Sequence, residues 1–157
     1  MPMFLASIRL VAATMLVCVV GYVSVVLGIA QFFPDTARGS LITGADGKIV
    51  GSRLIAQSFT QPRYFWPRPS AAGKNGYDAT SAAGSNKSPT SEDVKKRGQE
   101  MVARYGATAA RPLPAELAAA SGGGLDPNIT AAAALYQADR VAKARGVPVA
   151  SVEKLIG

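Results

Sequence analysis

Leu10–Phe33 is the longest apolar run of the chain, and it contains no charged residue and one strongly polar side chain, Gln31. A helix rises about 1.5 Å per residue, so roughly 20 apolar residues cross a bilayer core of about 30 Å. The pattern therefore predicts one membrane-spanning helix over Leu10–Ala30. Pro34 is expected to end it, because proline fixes its own φ and disfavours α geometry in the residue before it.

A cleaved signal peptide is the alternative interpretation of this run. Arg9 would supply the basic region, and Gly28-Ile29-Ala30 resembles a small-residue cleavage site. The apolar region of a signal peptide usually has about 7–15 residues, and this run is longer. Its length favours a retained anchor, whereas a mature chain that begins at Gln31 would indicate a cleaved signal.

After the anchor, the sequence contains short apolar stretches that are typical of strands. Short apolar stretches at Ser40–Ile42 and Ile49–Ile55 flank Asp46-Gly47, a dipeptide that favours hairpin turns. We expect two strands joined by this turn, with Gly51 at a bulge or a close backbone approach.

An aromatic segment, Phe59–Trp66, follows the hairpin and is interrupted and closed by prolines at positions 62, 67 and 69. Proline at this density excludes a helix or a central strand. We expect an extended, packed segment whose aromatic rings either form the core of the domain or contact a partner. The Gly- and Ser-rich stretch from Ala71 to Ser91 is typical of a loop, and Tyr77 indicates that part of it is fixed.

Helical patterns recur from Thr90 to the end of the sequence. One helix is expected to begin after Thr90 as its cap and to end near Tyr105-Gly106. Further helices are predicted over Ala115–Ala120, Ala131–Arg145 and Val149–Ile156. Thr130 is the expected cap of the third of these four helices. Its buried stripe is predicted to contain Ala131, Ala134, Leu135, Ala138 and Val141, with Gln137, Arg140 and Lys143 outside it.

These elements predict an α+β protein. One N-terminal transmembrane helix, within residues 1–34, precedes a single small soluble domain over residues 35–157, with a short β-sheet and several helices.

Composition excludes several kinds of chemistry. The chain has no histidine, which removes Ser-His-Asp and Cys-His catalysis and nearly all zinc chemistry. The single cysteine, Cys18, lies in the apolar run, so the domain has neither a disulfide nor a thiol nucleophile. Ser151-Val152-Glu153-Lys154 matches a serine acyl-enzyme motif without its companion motifs, and we treat the match as chance. We therefore predict no catalytic residue and no metal ligand.

The net charge of +7 is spread along the chain. No basic stripe with interleaved aromatic residues occurs, so we expect a solvated surface and no nucleic-acid partner. The charges that flank the apolar run do not decide its orientation, since long domains cross membranes largely regardless of charge. The glycine loop Ser121–Gly124 could cradle a phosphate, but it lacks the lysine of a P-loop, and a plain turn is the simpler interpretation.

Four segments together resemble one protein family, in order and spacing, behind an N-terminal anchor. They are GSRLIAQSFTQPRYFWPRPSAA (51–72), GYDATSAAGSN (76–86), PLPAELAAASGGGLDPNIT (112–130) and AAAALYQADRVAKARGV (131–147). They are similar to the KdpC-type C subunit of the bacterial Kdp potassium-transporting P-type ATPase.

The resemblance implies a non-catalytic accessory subunit with no cofactor of its own, in which ATP and potassium are handled by the complex. The implied partners are a channel-like potassium-binding subunit, an ATP-hydrolysing subunit and membrane lipid. It implies a single-pass protein of the bacterial inner membrane whose soluble domain is periplasmic, over the potassium entrance. The alternative is an independent periplasmic binding or enzymatic domain, anchored or secreted.

The resemblance also assigns site residues. A proposed role as a catalytic chaperone for ATP binding implies nucleotide contacts at Gln137, Ser121, Gly122 and Gly124. That role conflicts with a periplasmic domain, which cannot reach cytoplasmic ATP. Docking on the large subunits is expected through Phe59–Ala72 and Gly122–Asp126. The partner-binding residues are expected to be Tyr64, Phe65, Arg68, Ser70, Asn86, Leu125, Asp126 and Arg140.

The sequence departs from the family pattern in a few places, for example Pro67 where Gly or Ser is usual and Asn128 where His is usual. Similar proteins also continue beyond the position of Gly157 into a further strand. We expect the sheet to lack this C-terminal strand.

Overall fold

The computed structural model describes residues 2–157, and it confirms the α+β prediction of an apolar N-terminal helix, a two-stranded sheet and several helices. The elements are α1 (Pro2–Met15), a π-helical turn (Leu16–Gly21), α2 (Tyr22–Ala30), α3 (Pro34–Ala37), β1 (Leu41–Thr43), β2 (Ile49–Ser52), α4 (Glu92–Tyr105), α5 (Ala115–Ala118), α6 (Ala131–Arg145) and α7 (Val149–Ile156). The chain forms two compact units, one that ends at Val50 and one that covers Gly51–Gly157. The division into an anchor and a domain at residues 34 and 35 stays a prediction.

The first unit contains a continuous helix, Pro2–Ala30, that is long and apolar enough to cross a membrane. It begins eight residues before the predicted Leu10 and includes Arg9. The π-helical turn of Leu16–Gly21 interrupts the α-helical hydrogen bonds in its middle. Such turns insert one extra residue into a helix and bend it locally. This helix is the candidate membrane span.

Pro34 does not act as predicted. The long helix ends at Ala30, where Gln31 donates from its backbone N to the carbonyl of Gly28 at 3.3 Å. Pro34 is instead the first residue of the one-turn helix α3. Proline is favoured at that position because a helical first residue needs no N–H partner and its φ is already helical.

The predicted hairpin is present, but its strands are short. Gly44 donates to Lys48 at 2.8 Å across the turn that contains Asp46-Gly47. The second strand ends at Ser52 rather than at Ile55, because the Ser52 hydroxyl accepts from the backbone of Leu54 at 3.1 Å and turns the chain. Most side chains of both strands are exposed.

The core of the second unit lies between α6 and α7. Ala138, Val141 and Ala142 of α6 pack on Val152 of α7, and Phe65, Val149 and Ile156 cover the cluster. The small alanine side chains let the two helices approach closely. Further along the unit, Leu117 and Ala72 are fully buried.

The buried face of α6 is rotated from the prediction. Leu135 is 46% exposed and Ala131 is exposed, whereas Ala133 and Gln137 are buried. Only Ala134, Ala138 and Val141 of the predicted stripe are buried. The predicted stripe was wrong because it left a polar side chain outside; the amide of Gln137 is buried since the backbone of another segment satisfies it.

Helix caps follow local chemistry. The α6 cap was predicted correctly, because Thr130 Oγ1 accepts from the backbone of Ala133 at 3.2 Å. The predicted cap of α4 was wrong by one residue: Ser91, not Thr90, caps this helix and accepts from the backbone of Asp93 at 3.2 Å. Both helices end at a left-handed glycine, Gly106 and Gly146.

Candidate functional site

Most of the residues expected to bind a partner or nucleotide gather in two clusters of the second unit. The first, which we term the aromatic clamp, contains Tyr64, Phe65, Trp66, Gln137 and Arg140. The second, the loop clamp, contains Arg68, Ser70 and Ser121–Asp126. The two clusters are connected through one stretch of chain, because Tyr64–Trp66 of the first is followed directly by Arg68 and Ser70 of the second.

Gln137 fixes the aromatic segment to α6. Its Oε1 accepts from the backbone N of Trp66 at 2.8 Å, and its Nε2 donates to the carbonyl of Trp66 at 3.2 Å. The same nitrogen donates to the carbonyl of Ala133 at 3.2 Å. The side chain is 1% exposed. Its amide bonds both the N–H and the carbonyl of Trp66, as the backbone of a neighbouring β-strand would. A segment that prolines exclude from any sheet is held in this way.

Arg140 lies one helical turn after Gln137 and completes the clamp. Its Nη1 donates to the carbonyls of Pro62 at 2.6 Å and Tyr64 at 3.0 Å, and its Nη2 donates to Gln137 Oε1 at 2.6 Å. Its Cζ lies 3.7 Å from the centroid of the Trp66 ring. This residue therefore orients the aromatic segment from α6.

Helix α4 also contributes to this cluster, which the sequence pattern did not predict. Tyr105 meets the Trp66 ring edge-on with centroids 5.3 Å apart, and Arg104 Cζ lies 4.2 Å from the same ring. Tyr105 also contacts Tyr136 at 6.2 Å. The only sequence feature that could have indicated this contact is the position of Arg104-Tyr105 at the end of an amphipathic helix. No residue pattern near Arg104-Tyr105 connects these two residues with Trp66.

Ser70 is the centre of the loop clamp. Its hydroxyl donates to the carbonyl of Gly124 at 2.5 Å and accepts from the backbone N of Ala72 at 3.1 Å and of Tyr77 at 2.7 Å. The backbone N of Ser121 donates to the carbonyl of Pro69 at 3.1 Å. The glycine loop and the proline-rich end of the aromatic segment are thus joined side by side.

Arg68 contacts the residues on both sides of the glycine loop. Its Nη2 donates to the carbonyl of Ala120 at 3.2 Å, and its Nη1 lies 3.5 Å from Asp126 Oδ2. The Tyr77 hydroxyl donates to the carbonyl of Arg68 at 2.8 Å, which explains why this tyrosine is fixed within an otherwise polar loop. The buried Nε of Arg68 has no hydrogen-bond partner among residues 2–157.

The candidate nucleotide contacts differ in accessibility. Ser121 is 2% exposed and Gly124 is buried, whereas Gly122 is exposed. Gln137 is buried and uses both atoms of its amide internally. A nucleotide could reach Gly122 directly, but a contact with Gln137 requires its bonds to Trp66 to break. Nucleotide contact stays a prediction.

Two predicted partner-binding residues remain: Leu125, which belongs to the loop clamp, and Asn86, which lies outside both clusters. Leu125 accepts from the backbone N of Ala56 at 2.9 Å through its carbonyl. Asn86 is exposed, with φ of +48°, in the loop before α4. Neither the docking role of these residues nor that of the clamps is tested by the geometry, and both stay predictions.

Burial sets the electrostatics of the aromatic clamp. It raises the pKa of Tyr105 to about 12, although the charges of Arg104 and Arg140 act in the opposite direction. Burial also raises the pKa of Tyr77 and lowers the pKa of Arg140. Across residues 2–157 no three His, Cys, Asp or Glu side chains form a group that could hold a metal ion. The clamps hold backbone segments and aromatic side chains in place through hydrogen bonds and ring contacts.

These features define a class of protein: one candidate membrane-spanning helix followed by a small domain whose loops are fixed by side-chain hydrogen bonds. The family model described as "KdpC: K+-transporting ATPase, c chain" matches residues 4–157. The chain belongs to the KdpC family, as its resemblance predicted.

Proteins named potassium-transporting ATPase KdpC subunit are similar to the chain over most of its length. The one from Parvibaculum lavamentivorans is 64% identical over 157 residues, which cover 99% of this chain and 82% of that protein. The one from Acidobacterium capsulatum is 50% identical over 139 residues, 87% of this chain and 73% of that protein. The one from Gemmatimonas aurantiaca is 47% identical over 154 residues, which cover 96% of this chain and 76% of that protein.

Proposed function

We propose that this protein is a non-catalytic accessory subunit of an ATP-driven potassium uptake pump. It stabilises the complex of a channel-like potassium-binding subunit with an ATP-hydrolysing subunit, and its domain lies on the periplasmic side at the potassium entrance. The observation that carries the proposal is the family match over residues 4–157, which includes nearly all of the candidate span Pro2–Ala30 and the whole second unit.

The candidate span supports an assembly role within the membrane. Its side chains are exposed along the whole helix, and α1 carries an apolar groove lined by Phe4, Ile8, Val11 and Met15. An apolar helix whose described side chains are exposed offers a surface for helices of a larger membrane subunit, where close packing rather than hydrophobicity drives association.

The two clamps support an assembly role outside the membrane. They hold the segments expected to dock, Phe59–Ala72 and Gly122–Asp126, in one fixed arrangement before any partner binds. Preorganised segments bind more tightly because little conformational entropy is lost on association. Gly122 and Gly123 are exposed at the surface of this arrangement, and a Cβ added at either position would meet no other atom within 4 Å.

A chaperone role in ATP binding is the weaker form of the proposal. Gln137 and Ser121 are 1% and 2% exposed and Gly124 is also buried, so three of the four candidate nucleotide contacts are inaccessible to a ligand in this fold. The assembly role needs no such rearrangement and is preferred.

Co-purification tests the assembly role. A tagged full chain, solubilised from membranes that contain the pump genes, is expected to retain both large subunits. Gly123→Trp places bulk on the docking surface without touching the core and should reduce retention, whereas Ala132→Trp at an exposed position of α6 should not. Absence of both large subunits from the wild-type sample would overturn the proposal.

Cysteine labelling tests the orientation. In a Cys18→Ala background, Ser88→Cys lies on an exposed loop of the second unit and Ala6→Cys lies near the start of the span. A membrane-impermeant maleimide applied to intact spheroplasts should label the first and not the second, and detergent should expose both. The reverse pattern would place the domain in the cytoplasm.

A further inference from the structure

Four arginines surround the two central rings of the aromatic clamp. Arg104 and Arg140 lie at the Trp66 ring, with Cζ to centroid distances of 4.2 and 3.7 Å. Arg63 and Arg145 lie at the Tyr64 ring, at 5.7 and 5.9 Å. We term these four residues the arginine patch. They come from three separate parts of the chain, so the fold rather than a basic sequence run creates the patch.

Neutral backbone carbonyls hold the patch in place. Arg145 Nε donates to the carbonyl of Arg63 at 2.8 Å, Arg104 Nη2 donates to the carbonyl of Phe59 at 3.4 Å, and Arg140 Nη1 donates to that of Pro62 at 2.6 Å. These bonds orient the guanidinium groups but leave their charge unbalanced. The guanidinium of Arg63 and both terminal nitrogens of Arg145 make no hydrogen bond within the part of the chain that the structure describes.

No carboxylate forms an ion pair with the patch in residues 2–157. The ion pairs there join other residues: Lys48 with Asp46, Arg68 with Asp126, Lys87 with Asp93, Lys95 with Glu92, and Arg111 with Asp139. Burial lowers the pKa of Arg140, and the charge of Arg104 acts in the same direction, whereas Tyr105 opposes it. Like charges held this close repel each other, and a bound anion would relieve the repulsion.

The surroundings of the patch are those of a protein interface. Phe59 and Tyr64 are 38% and 37% exposed and contact each other with ring centroids 5.2 Å apart. Exposed tyrosine and arginine held on a rigid support are the residue types that dominate binding energy at interfaces. Arginine also matches a carboxylate in a two-bond, planar geometry that gives direction to the contact.

We propose that the arginine patch binds an acidic segment of one of the two large pump subunits. Carboxylates of that segment accept from Arg63 and Arg145, and its apolar side chains cover Phe59 and Tyr64. The inference rests on the proposed function and names the chemistry of the contact, which the docking segments alone do not define.

Charge reversal tests the proposal in the intact complex. The Arg63→Glu variant and the Arg63→Glu/Arg145→Glu double variant are compared with wild type by co-purification of the large subunits between about 0.05 and about 0.5 M salt. The matched control is Lys74→Glu/Lys154→Glu, which makes the same change in charge at exposed positions. We expect retention by the double variant at low salt to fall about fivefold or more, and retention by wild type to fall as salt rises.

The outcomes are distinguishable. Equal retention by the double variant and the lysine control would overturn the inference while leaving the proposed function intact, whereas failure of wild type to retain the large subunits would overturn both. Arg63→Glu removes no hydrogen bond, so a loss of retention in this single variant, with an unchanged unfolding midpoint, supports the contact over misfolding. Phospholipid phosphorus is measured in the same samples. A fall in bound phospholipid with unchanged retention would assign the patch to lipid headgroups and overturn the inference.

Discussion

Gln137 is a buried polar residue whose hydrogen bonds connect α6 to a segment 71 positions away along the chain. Gln137→Leu would fill the space but leave the backbone N–H and carbonyl of Trp66 without partners. Each buried group left unpaired costs about 1–3 kcal/mol, so we expect the two groups to lower the free energy of unfolding by about 2–6 kcal/mol. Urea unfolding of the solubilised full chain, followed by the fluorescence of Trp66, measures this change.

The control for this prediction is Gln99→Leu on the exposed surface of α4. Surface substitutions usually change stability by less than about 0.5 kcal/mol. If Gln137→Leu were as stable as Gln99→Leu, the two bonds to Trp66 would not stabilise the fold, and a binding role for the amide would gain support.

Gly124 adopts a left-handed backbone with φ of +74°. A Cβ there would lie 2.7 Å from the carbonyl oxygen of Ala83 and 2.8 Å from the Cβ of Ala72. Gly124→Ala is therefore expected to lower stability by at least about 1–2 kcal/mol, from the backbone strain alone. Gly123→Ala, where a Cβ meets nothing within 4 Å, is the matched control and should unfold like wild type in the same urea titration. Equal midpoints for the two variants would contradict the packing of the loop clamp.

At the scale of single residues, the sequence predicted what depends on near neighbours. The Thr130 cap needs only the backbone three residues on, and it was predicted correctly. The burial of Gln137 depends on the backbone of Trp66, and the orientation of Arg104 depends on the ring of the same residue. Neither partner is visible in a local pattern, so Gln137 was placed outside the buried face and Arg104 was not identified.

Helix α4 has no buried residue, and Arg104 and Tyr105 of its last turn contact the ring of Trp66. Burial against Trp66 and Tyr136 raises the pKa of Tyr105 to about 12. An unfolded tyrosine has a pKa of about 10, so between these values the unfolded chain loses a proton that the folded chain keeps. The free energy of unfolding should therefore fall as pH rises from about 10 to about 12.

Tyr105→Phe separates this effect from the titration of other groups. The Tyr105 hydroxyl makes no hydrogen bond within the described residues, so the variant should match wild type near pH 7. It should then lose stability less steeply than wild type above about pH 10, as measured by urea unfolding at a series of pH values. Parallel curves for the two proteins would mean that Tyr105 does not titrate differently in the folded state.

At the scale of elements, the helix ends and the hairpin turn were predictable because Ser, Thr, Gly and Asp-Gly act locally. The bounds of α6 and α7 were predicted correctly, and those of the hairpin strands only approximately. The aromatic segment was predicted to be extended. It has no helix or strand, as its prolines require, but Gln61–Tyr64 form a turn in which the backbone N of Tyr64 donates to the carbonyl of Gln61 at 3.2 Å. Its attachment was not predictable, since a glutamine side chain supplies the bonds that a neighbouring strand normally would.

For the whole molecule, the candidate span determines whether the protein acts at a membrane. The family and the helix Pro2–Ala30 together support a membrane subunit, but a cleaved signal would share the apolar character of that helix. The two interpretations differ in the mature chain. We expect the intact mass of protein extracted from membranes to include the residues before Gln31. A mass that corresponds to a start at Gln31 would show that the helix is removed.

The span also predicts a response to buried charge. Val19 and Val23 lie in the middle of the helix, one turn apart and exposed to its surroundings. An arginine at the centre of a bilayer costs about 2.5–3.5 kcal/mol, so Val19→Arg/Val23→Arg should shift the protein from the membrane pellet to the supernatant on alkaline carbonate extraction. Met3→Arg/Phe4→Arg adds the same charge at the end of the helix, where long basic side chains reach the headgroups, and should stay in the pellet. If both variants stayed in the pellet, the second unit rather than the helix would hold the protein at the membrane, and the assembly model would have to be built on that unit alone.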